Sequence, residues 1–298
     1  MGTASSRTRS LNASRGTVSA VSRTGVQRRT DRQPAAIVST LAKGLQVLSL
    51  FSEGEWLGNQ QVVATTGLPK ATVSRLTSTL TQLGYLKQDE RSRKFSMGTR
   101  LLGMGASVQR NIGLHRIARP FMEKLCNECD VTVGMGTRDR LGIVFLEVSR
   151  PLHSRLIVNS DAGTILPLES TAIGLSYIVA APLLERTRIL DGLRRRHPDD
   201  WQSVRATIER AHAEFQRSGF VMSQKSWGRE VNGVGVPLVL DGRRNLYVFN
   251  CAGPSRQLKQ DYLKAVLGPK LVKTVEKIHQ AMRAAPHQQL KPPSIHEP

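Results

Sequence analysis

Five side chains on one short stretch are suited to touching nucleic acid: Lys70, Thr72, Ser74, Arg75 and Ser78. They are interleaved with Val73, Leu76, Leu80 and Leu83, whose three- and four-residue steps put the apolar groups on one helical stripe. A solvated helix face usually mixes Glu with Lys, yet no acid occurs between Pro69 and Leu83. Such a face can lie beside phosphates without repulsion, and arginine can bond a guanine edge through two donors. A basic surface helix with no partner reads the same way, so the flanking segments must decide.

Other candidate chemistry is weaker. Cys126 and Cys129 form a CxxC, but zinc needs two further ligands, and neither a second CxxC nor a His-x-x-x-His pair exists. Two small, partly buried thiols are expected there, with no metal. Gly-x-Gly occurs at Gly103/Gly105, Gly134/Gly136 and Gly233/Gly235, and none continues as a dinucleotide fingerprint. No phosphate loop, HExxH or GxSxG motif is present, so no catalytic residue and no cofactor is expected. Leu166 to Gly174 places small and hydroxylated residues at a helix start, where free amides suit a carboxylate. Glycines inside the strand pattern Val231–Pro237 mark close approach by a ligand or by backbone, and tight packing explains them equally well.

These residues need elements to hold them. Ile37, Leu41, Leu45, Leu48 and Phe51 predict a first helix with an apolar face. A second, capped by Asn59, should bury Val63 with Val62 or Ala64. Thr66-Gly67-Leu68 turns the chain into the polar-faced helix, with Pro69 at its start. Strands at 84–88 and 93–97 flank a polar turn, forming a wing whose Arg91, Arg93 and Lys94 can reach phosphate. Three helices and a wing make a winged helix-turn-helix.

A long amphipathic stretch runs from Thr99 to Leu125, its glycines permitting a close dimer seam. Strands are expected at 131–137, 141–148, 155–159, 231–240 and 246–251, the last two joined by a turn at Asp241-Gly242. Helices are expected at 170–181, across an Arg-rich block from 182 to 217, and at 259–282. The fold class is therefore α+β, an antiparallel sheet with helices packed beside it.

A length of 298 residues accommodates two domains. No stretch approaches the ~20 apolar residues of a membrane span, and three cysteines exclude a disulfide scaffold. Lys+Arg 43 against Asp+Glu 23 gives +20, which favours a polyanionic partner. Seven arginines in the leader (7, 9, 15, 23, 28, 29 and 32) face the single acid Asp31. A disordered basic arm is the simpler account, over an organelle transit peptide or an N-myristoyl signal at Gly2. The expected organisation is a leader at 1–36, a winged helix-turn-helix at 37–98, a linker helix at 99–114, a second domain at 115–284 and a loose tail at 285–298, in a cytoplasmic protein.

The segments Ser39-Thr-Leu-Ala-Lys-Gly-Leu-Gln-Val-Leu48, Ala64-Thr-Thr-Gly-Leu-Pro-Lys-Ala-Thr-Val-Ser-Arg-Leu76, Leu83-Gly-Tyr-Leu86 and Leu101-Leu-Gly103 resemble the isocitrate-lyase-regulator (IclR) family of bacterial transcription factors. Leu166-Pro-Leu168 with Thr171-Ala172, Val231–Leu238 and Phe249–Pro254 resemble its effector-domain signatures, in matching order over roughly residues 37 to 280. The resemblance implies a GAF-like effector domain, a homodimer or dimer of dimers, a near-palindromic double-stranded operator and control of a catabolic operon by a small organic or aromatic acid. It also implies a pocket at Ala172, Ile173, Ser223, Gly233, Asn250 and Ala252.

Several positions depart from the family pattern. Gly233 replaces a usual Cys, Ser223 an acid, and Asn250 and Ala252 serines; Glu169 replaces a His, Leu175 a Lys and Val62 a Glu. Loss of a side chain at Gly233 is expected to enlarge the pocket towards a bulkier or more aromatic acid. A ligand-responsive regulator is the leading reading, with an enzyme carrying a DNA-binding module and a charge-driven, non-specific nucleic-acid binder as alternatives.

Overall fold

The computed structural model describes residues 37–51, 54–111, 113–151, 160–226, 230–240 and 245–284. The leader, the strand expected at 155–159, the turn at Asp241-Gly242 and the tail from 285 lie outside them. Two compact units meet at Met97/Gly98.

The first unit contains α1 (Ser39–Ser49), α2 (Asn59–Thr66), α3 (Lys70–Gln82) and a hairpin of β1 (Leu86–Gln88) with β2 (Phe95–Met97). Its core is Val47, Phe51, Val62, Val73, Leu86 and Phe95. α2 ends at Gly67, which adopts the left-handed conformation at φ 66° that glycine takes without a Cβ clash. Three residues later α3 begins, which gives the expected helix-turn-helix.

Four expectations about this unit need correction. Asn59 is the first helical residue of α2 and not its cap. Gly58 precedes the helix, its amide donating to Gln61 Oε1 at 2.9 Å, while Asn59 Oδ1 accepts from Thr77 Oγ1 on α3 at 3.1 Å. Thr77 is thereby buried among the apolar positions, whereas Leu83 is exposed. Leu57 adds a third strand position beside the wing, exchanging backbone hydrogen bonds with Phe95 at 3.0 and 2.9 Å. On α1 only Val47 is fully buried, with Phe51 just after the helix, while Leu41 and Leu45 on it and Ile37 just before it are 62%, 57% and 82% exposed. That helix has two apolar edges, and one row of spacing cannot say which edge meets the core.

The second unit opens with α4 (Arg100–Asn111) and α5 (Leu114–Cys129). Strands β3 (Thr132–Asp139), β4 (Gly142–Ser149), β5 (Ile165–Pro167), β6 (Val221–Ser226), β7 (Val231–Leu240) and β8 (Asn245–Pro254) form one antiparallel sheet in the order β5-β4-β3-β8-β7-β6. Between β5 and β6 come α6 (Ala172–Ala180), α7 (Leu183–Arg196) and α8 (Trp201–Ser218). The chain closes with α9 (Gln260–Tyr262), a π-helical turn (Leu263–Leu267) and α10 (Gly268–Ala284).

Helices cover both sides of the sheet: α5, the π-turn and α10 on one, α6 to α8 on the other. This is the α+β, GAF-like arrangement expected. β5 and β6 escaped the sequence reading because a three-residue strand and a six-residue strand ending in Gln, Lys and Ser carry little alternation. The Arg-rich block divides into α7 and α8 at the His197–Asp200 connection, where Pro198 cannot continue a helix.

Strand periodicity decides what faces each layer. On β8, Phe249 and Cys251 enter the α5/α10 core, while Leu246, Val248, Asn250 and Ala252 face α6. On β3 and β7 the α6-facing positions include the glycine pairs 134/136 and 233/235. A Cβ at Gly235 would stand 2.4 Å from the Ala172 carbonyl oxygen and 2.5 Å from Ser176 Oγ. One at Gly174, on α6 itself, would stand 2.5 Å from the Leu168 backbone. Gly235 and Gly174 therefore let α6 lie close against the sheet, whereas a Cβ at Gly134, Gly136 or Gly233 would meet neighbouring strands.

All three cysteines are buried in the opposite core. Burial, with Asp130 and Glu123 adding repulsion, pushes the Cys126 thiol up to about 11, and burial drives Cys251 well above the ordinary thiol range. Among the described residues no group of three or more His, Cys, Asp or Glu is placed to hold a metal.

Two outcomes follow from this packing. Gly235→Ala should lower stability by about 1–3 kcal/mol, because backbone and not a flexible side-chain end blocks the new methyl; urea unfolding measures it, and an unchanged midpoint would contradict the contact. At pH 8 about one Cys126 thiol in a thousand is ionised. Iodoacetamide should therefore leave Cys126 and Cys251 unlabelled in the native protein on a timescale that labels both in urea, as read by mass spectrometry.

Candidate functional site

On α3, Lys70, Ser74, Arg75 and Ser78 are exposed and Thr72 is half-buried, while Val73 is fully buried on the reverse side. The acid-free face anticipated from spacing is thus a real surface of the first unit. Arg91, Arg93 and Lys94 are likewise exposed, on the turn of the wing.

That turn is braced from within. Asp89 accepts from the Ser92 amide and from Ser92 Oγ, both at 2.7 Å, and these bonds lower its carboxyl below the ordinary range. Gln88 Nε2 donates to the Arg93 carbonyl at 3.1 Å. Arg93 adopts φ 56°, a left-handed conformation uncommon for a side chain of its size. Asp89 is thus engaged inside the turn, and the neighbouring cations occupy its outer surface. The sequence reading missed the contact between Lys87 Nζ and the Trp56 ring, 5.3 Å from the centroid. No spacing rule joins a residue in the connection before α2 to one on β1.

The second unit holds an enclosed cavity of about 30 Å³ at the start of α6. Of the six positions anticipated, Ala172, Ser223, Gly233, Asn250 and Ala252 line it. Ile173 does not: its side chain is fully buried in the α6–α8 core, because successive residues of a helix point in different directions. The lining that sequence did not single out includes Thr132, Phe145, Ser160 and Ser226. They come from four separate segments, and only the sheet order brings them together.

The cavity is polar without being charged; no Lys, Arg, His, Asp or Glu lines it among the described residues. Ser223 Oγ accepts from the Ala172 amide at 2.9 Å and lies 3.1 Å from Ser226 Oγ. Thr171 caps α6, its Oγ1 accepting from the Gly174 amide at 3.1 Å and donating to the Pro167 carbonyl at 2.6 Å. Between those two amides, that of Ile173 has no acceptor among the described residues.

Just outside the cavity, Glu169 Oε1 lies 2.9 Å from His197 Nε2. Gly233 does not enlarge the space as expected. A Cβ there would meet the Cys251 carbonyl oxygen at 2.7 Å, so backbone already fills the volume a cysteine would need.

Comparison with known proteins agrees with this two-part layout. Residues 40–90 match the model of the IclR helix-turn-helix domain, and residues 106–280 match that of the bacterial transcriptional regulator IclR C-terminal region. The HTH-type transcriptional regulator TsaQ1/TsaQ2 of Comamonas testosteroni is 53% identical over 260 residues, 87% of this chain and 92% of that protein. The p-hydroxybenzoate hydroxylase transcriptional activator of Acinetobacter baylyi is 25% identical over 251 residues, 81% of this chain and 90% of that one.

Among solved structures, an IclR family transcriptional regulator from Brucella abortus is 37% identical with a TM-score of 0.74, covering 87% of this chain and 97% of its own. An IclR homolog from Microbacterium hydrocarbonoxydans, complexed with 4-hydroxybenzoate, shares the fold at 18% identity and a TM-score of 0.64, covering 83% of this chain and 100% of its own. A helix-turn-helix with an acid-free face, a GAF-like domain with a cavity, and matches to both family models identify the chain as a member of the IclR family, a DNA-binding, ligand-responsive transcriptional regulator and not an enzyme.

Proposed function

We propose that α3 is the recognition helix, with Lys70, Thr72, Ser74, Arg75 and Ser78 towards the major groove and Arg91, Arg93 and Lys94 of the wing on phosphates. The observation that carries this reading is the exposed face of α3, free of acids and backed by a fully buried Val73. Residues 37–98 are then the DNA-binding domain, 99–114 the link and 115–284 the effector domain of a cytoplasmic protein; among the described residues no helix is long and apolar enough to cross a membrane.

The cavity at α6 is the proposed effector site, and a small organic or aromatic carboxylic acid the proposed effector. An uncharged pocket at a helix N-terminus supports it, since oriented amides attract an anion without a counter-charge. Relatives named for p-hydroxybenzoate hydroxylase control and crystallised with 4-hydroxybenzoate point to the same class. The effector acts by binding two arrangements of the protein with different affinity, since equal affinity would shift nothing.

The chain acts as a homodimer or dimer of dimers on a near-palindromic operator, where two-fold protein symmetry matches repeated half-sites. The exposed Leu41 and Leu45 of α1, with Ile37 just before it, are apolar surface that a second copy would cover, and Leu102, Met104 and Val108 are further such surface on α4.

Two experiments test these assignments. Arg75→Ala should cost about 1–3 kcal/mol on operator DNA and flatten sequence preference, whereas Lys94→Ala should weaken all sequences alike and reduce the salt slope by about 1. Fluorescence anisotropy on operator and scrambled duplexes across salt reads both, and equal losses on the two duplexes for Arg75→Ala would remove α3 from base recognition. Leu41→Glu with Leu45→Glu should shift the sedimenting species from dimer to monomer; an unchanged sedimentation coefficient would move the seam elsewhere.

A further inference from the structure

An enclosed cavity needs a way in, and two open grooves each share one wall residue with it. One, of about 630 Å³, lies between β5, the β3–β4 turn and the end of α7, and meets the cavity at Leu166. The other, of about 600 Å³, lies between α8 and the edge strand β6, and meets the cavity at Ser223. The two walls differ in what must break. Leu166 pairs with Ile143 in a backbone ladder, so an opening there separates β5 from β4. At Ser223 the wall is closed by one side-chain bond, in which the Ala172 amide donates to Ser223 Oγ at 2.9 Å. Turning that hydroxyl away costs no strand pairing, because β6 is the last strand and its ladder to β7 lies on the other side.

Charge separates the two grooves as well. Arg210 and Arg217 line the one outside Ser223; both are exposed, and neither forms an ion pair among the described residues. Arg210 Nη2 donates to Thr207 Oγ1 at 2.9 Å, which holds the side chain along α8. The acid beside them, Glu214, is turned to the strand edge, where it accepts from the Met222 amide at 2.9 Å. Burial raises its carboxyl above the ordinary range against the pull of Arg217 and Lys264. In the other groove Arg195 and Arg196 stand in the last turn of α7, where cations complement the negative end of the helix.

Resting on the reading of the cavity as an acid-effector site, we propose that the α8/β6 groove is the route by which the effector enters and leaves, with Arg210 and Arg217 as positioning residues that gather the carboxylate before the Ser223–Ala172 bond opens. A cationic cleft raises the local concentration of an anion and speeds its arrival, and salt screens the effect. Groups met only in passage act on the barrier and not on its two ends. Removing them therefore slows entry and exit by the same factor and leaves Kd where it was.

The test begins with lactate, pyruvate, benzoate and 4-hydroxybenzoate, each titrated against the full-length protein by thermal stabilisation, and the tightest binder becomes the probe. Stopped-flow fluorescence then gives both rate constants, and calorimetry gives Kd. Arg210→Gln with Arg217→Gln should slow binding and release alike by about tenfold at low salt, with Kd kept within about twofold. Most of that difference should vanish at about 0.5 M salt. In the unsubstituted protein, rising salt should slow binding and release together, a reading that needs no variant. Arg195→Gln with Arg196→Gln, the same charge change in the other groove, should leave both rates as they were. Slowing by that second pair, or unaltered rates in the first, would overturn the route while leaving the acid site standing. Slower binding with unchanged release would make the two arginines attractors of the bound acid and would overturn the route as well. Saturable stabilisation by none of the four acids would overturn both.

Discussion

The second domain depends on one close approach, that of α6 to the sheet. Ala172 to Val179 are all buried, so this helix has no solvated face and is held on every side. Contact this tight requires that side chains be missing where the two surfaces meet. Gly235 removes them from the sheet beneath Ala172 and Ser176, and Gly174 removes them from the helix beside Leu168. With α6 lowered in this way, its N-terminus reaches Ser223 on the edge strand β6, whose hydroxyl takes the Ala172 amide. The cavity is the space left where that helix start, strands β3, β4, β5, β7 and β8 and the β6 edge fail to fill the corner.

The first domain rests on a different economy of side chains. Val62, Val73 and Phe95 close a small core, and outside it lie the polar and basic faces of α3 and the wing together with the exposed apolar side chains of Leu41 and Leu45. Because Thr77 satisfies itself through Asn59 and the Val73 carbonyl, a hydroxyl can sit at a core position without an open hydrogen bond. Asp89, the acid that begins the wing turn, is consumed in shaping it. Positive potential is thus presented at the wing although acids stand beside it in sequence.

Legibility in the sequence followed the physical range of each signal. The helix-turn-helix could be read because its evidence is local: apolar steps of three and four, a glycine turn, a proline and an acid-free face. The first row of α1 misled because apolar spacing reports burial in some partner and does not say that the partner is the same chain. Half of the cavity could be anticipated from glycines inside a strand, hydroxyls before a helix and the family resemblance. Thr132, Phe145, Ser160 and Ser226 could not, since they meet only through a strand order that places β3 beside β8 and β8 beside β7. Gly233 shows the opposite failure. Removing a side chain suggests added room, yet in a twisted strand pair the Cys251 carbonyl stands where the methyl would go.

Size and charge together constrain how such a cavity can respond to a ligand. About 30 Å³ holds roughly two waters, so an organic acid seated wholly within it would displace part of the lining. Protein interiors are close-packed and yield by discrete shifts, not by compression. The sheet side is the least able to yield: β3, β8 and β7 are joined by continuous ladders, and the glycine contacts leave no slack under α6. The softer boundaries are side-chain bonds, from Ser223 to Ala172 and from Thr171 to Pro167, which tie the α6 start to β6 and β5. In the proposed effector site, a carboxylate competing for the Ala172 amide would break the tie of the helix start to Ser223. On that proposal binding and movement of the corner are one event, because the amide that would recognise the anion is the one that holds the helix start to β6.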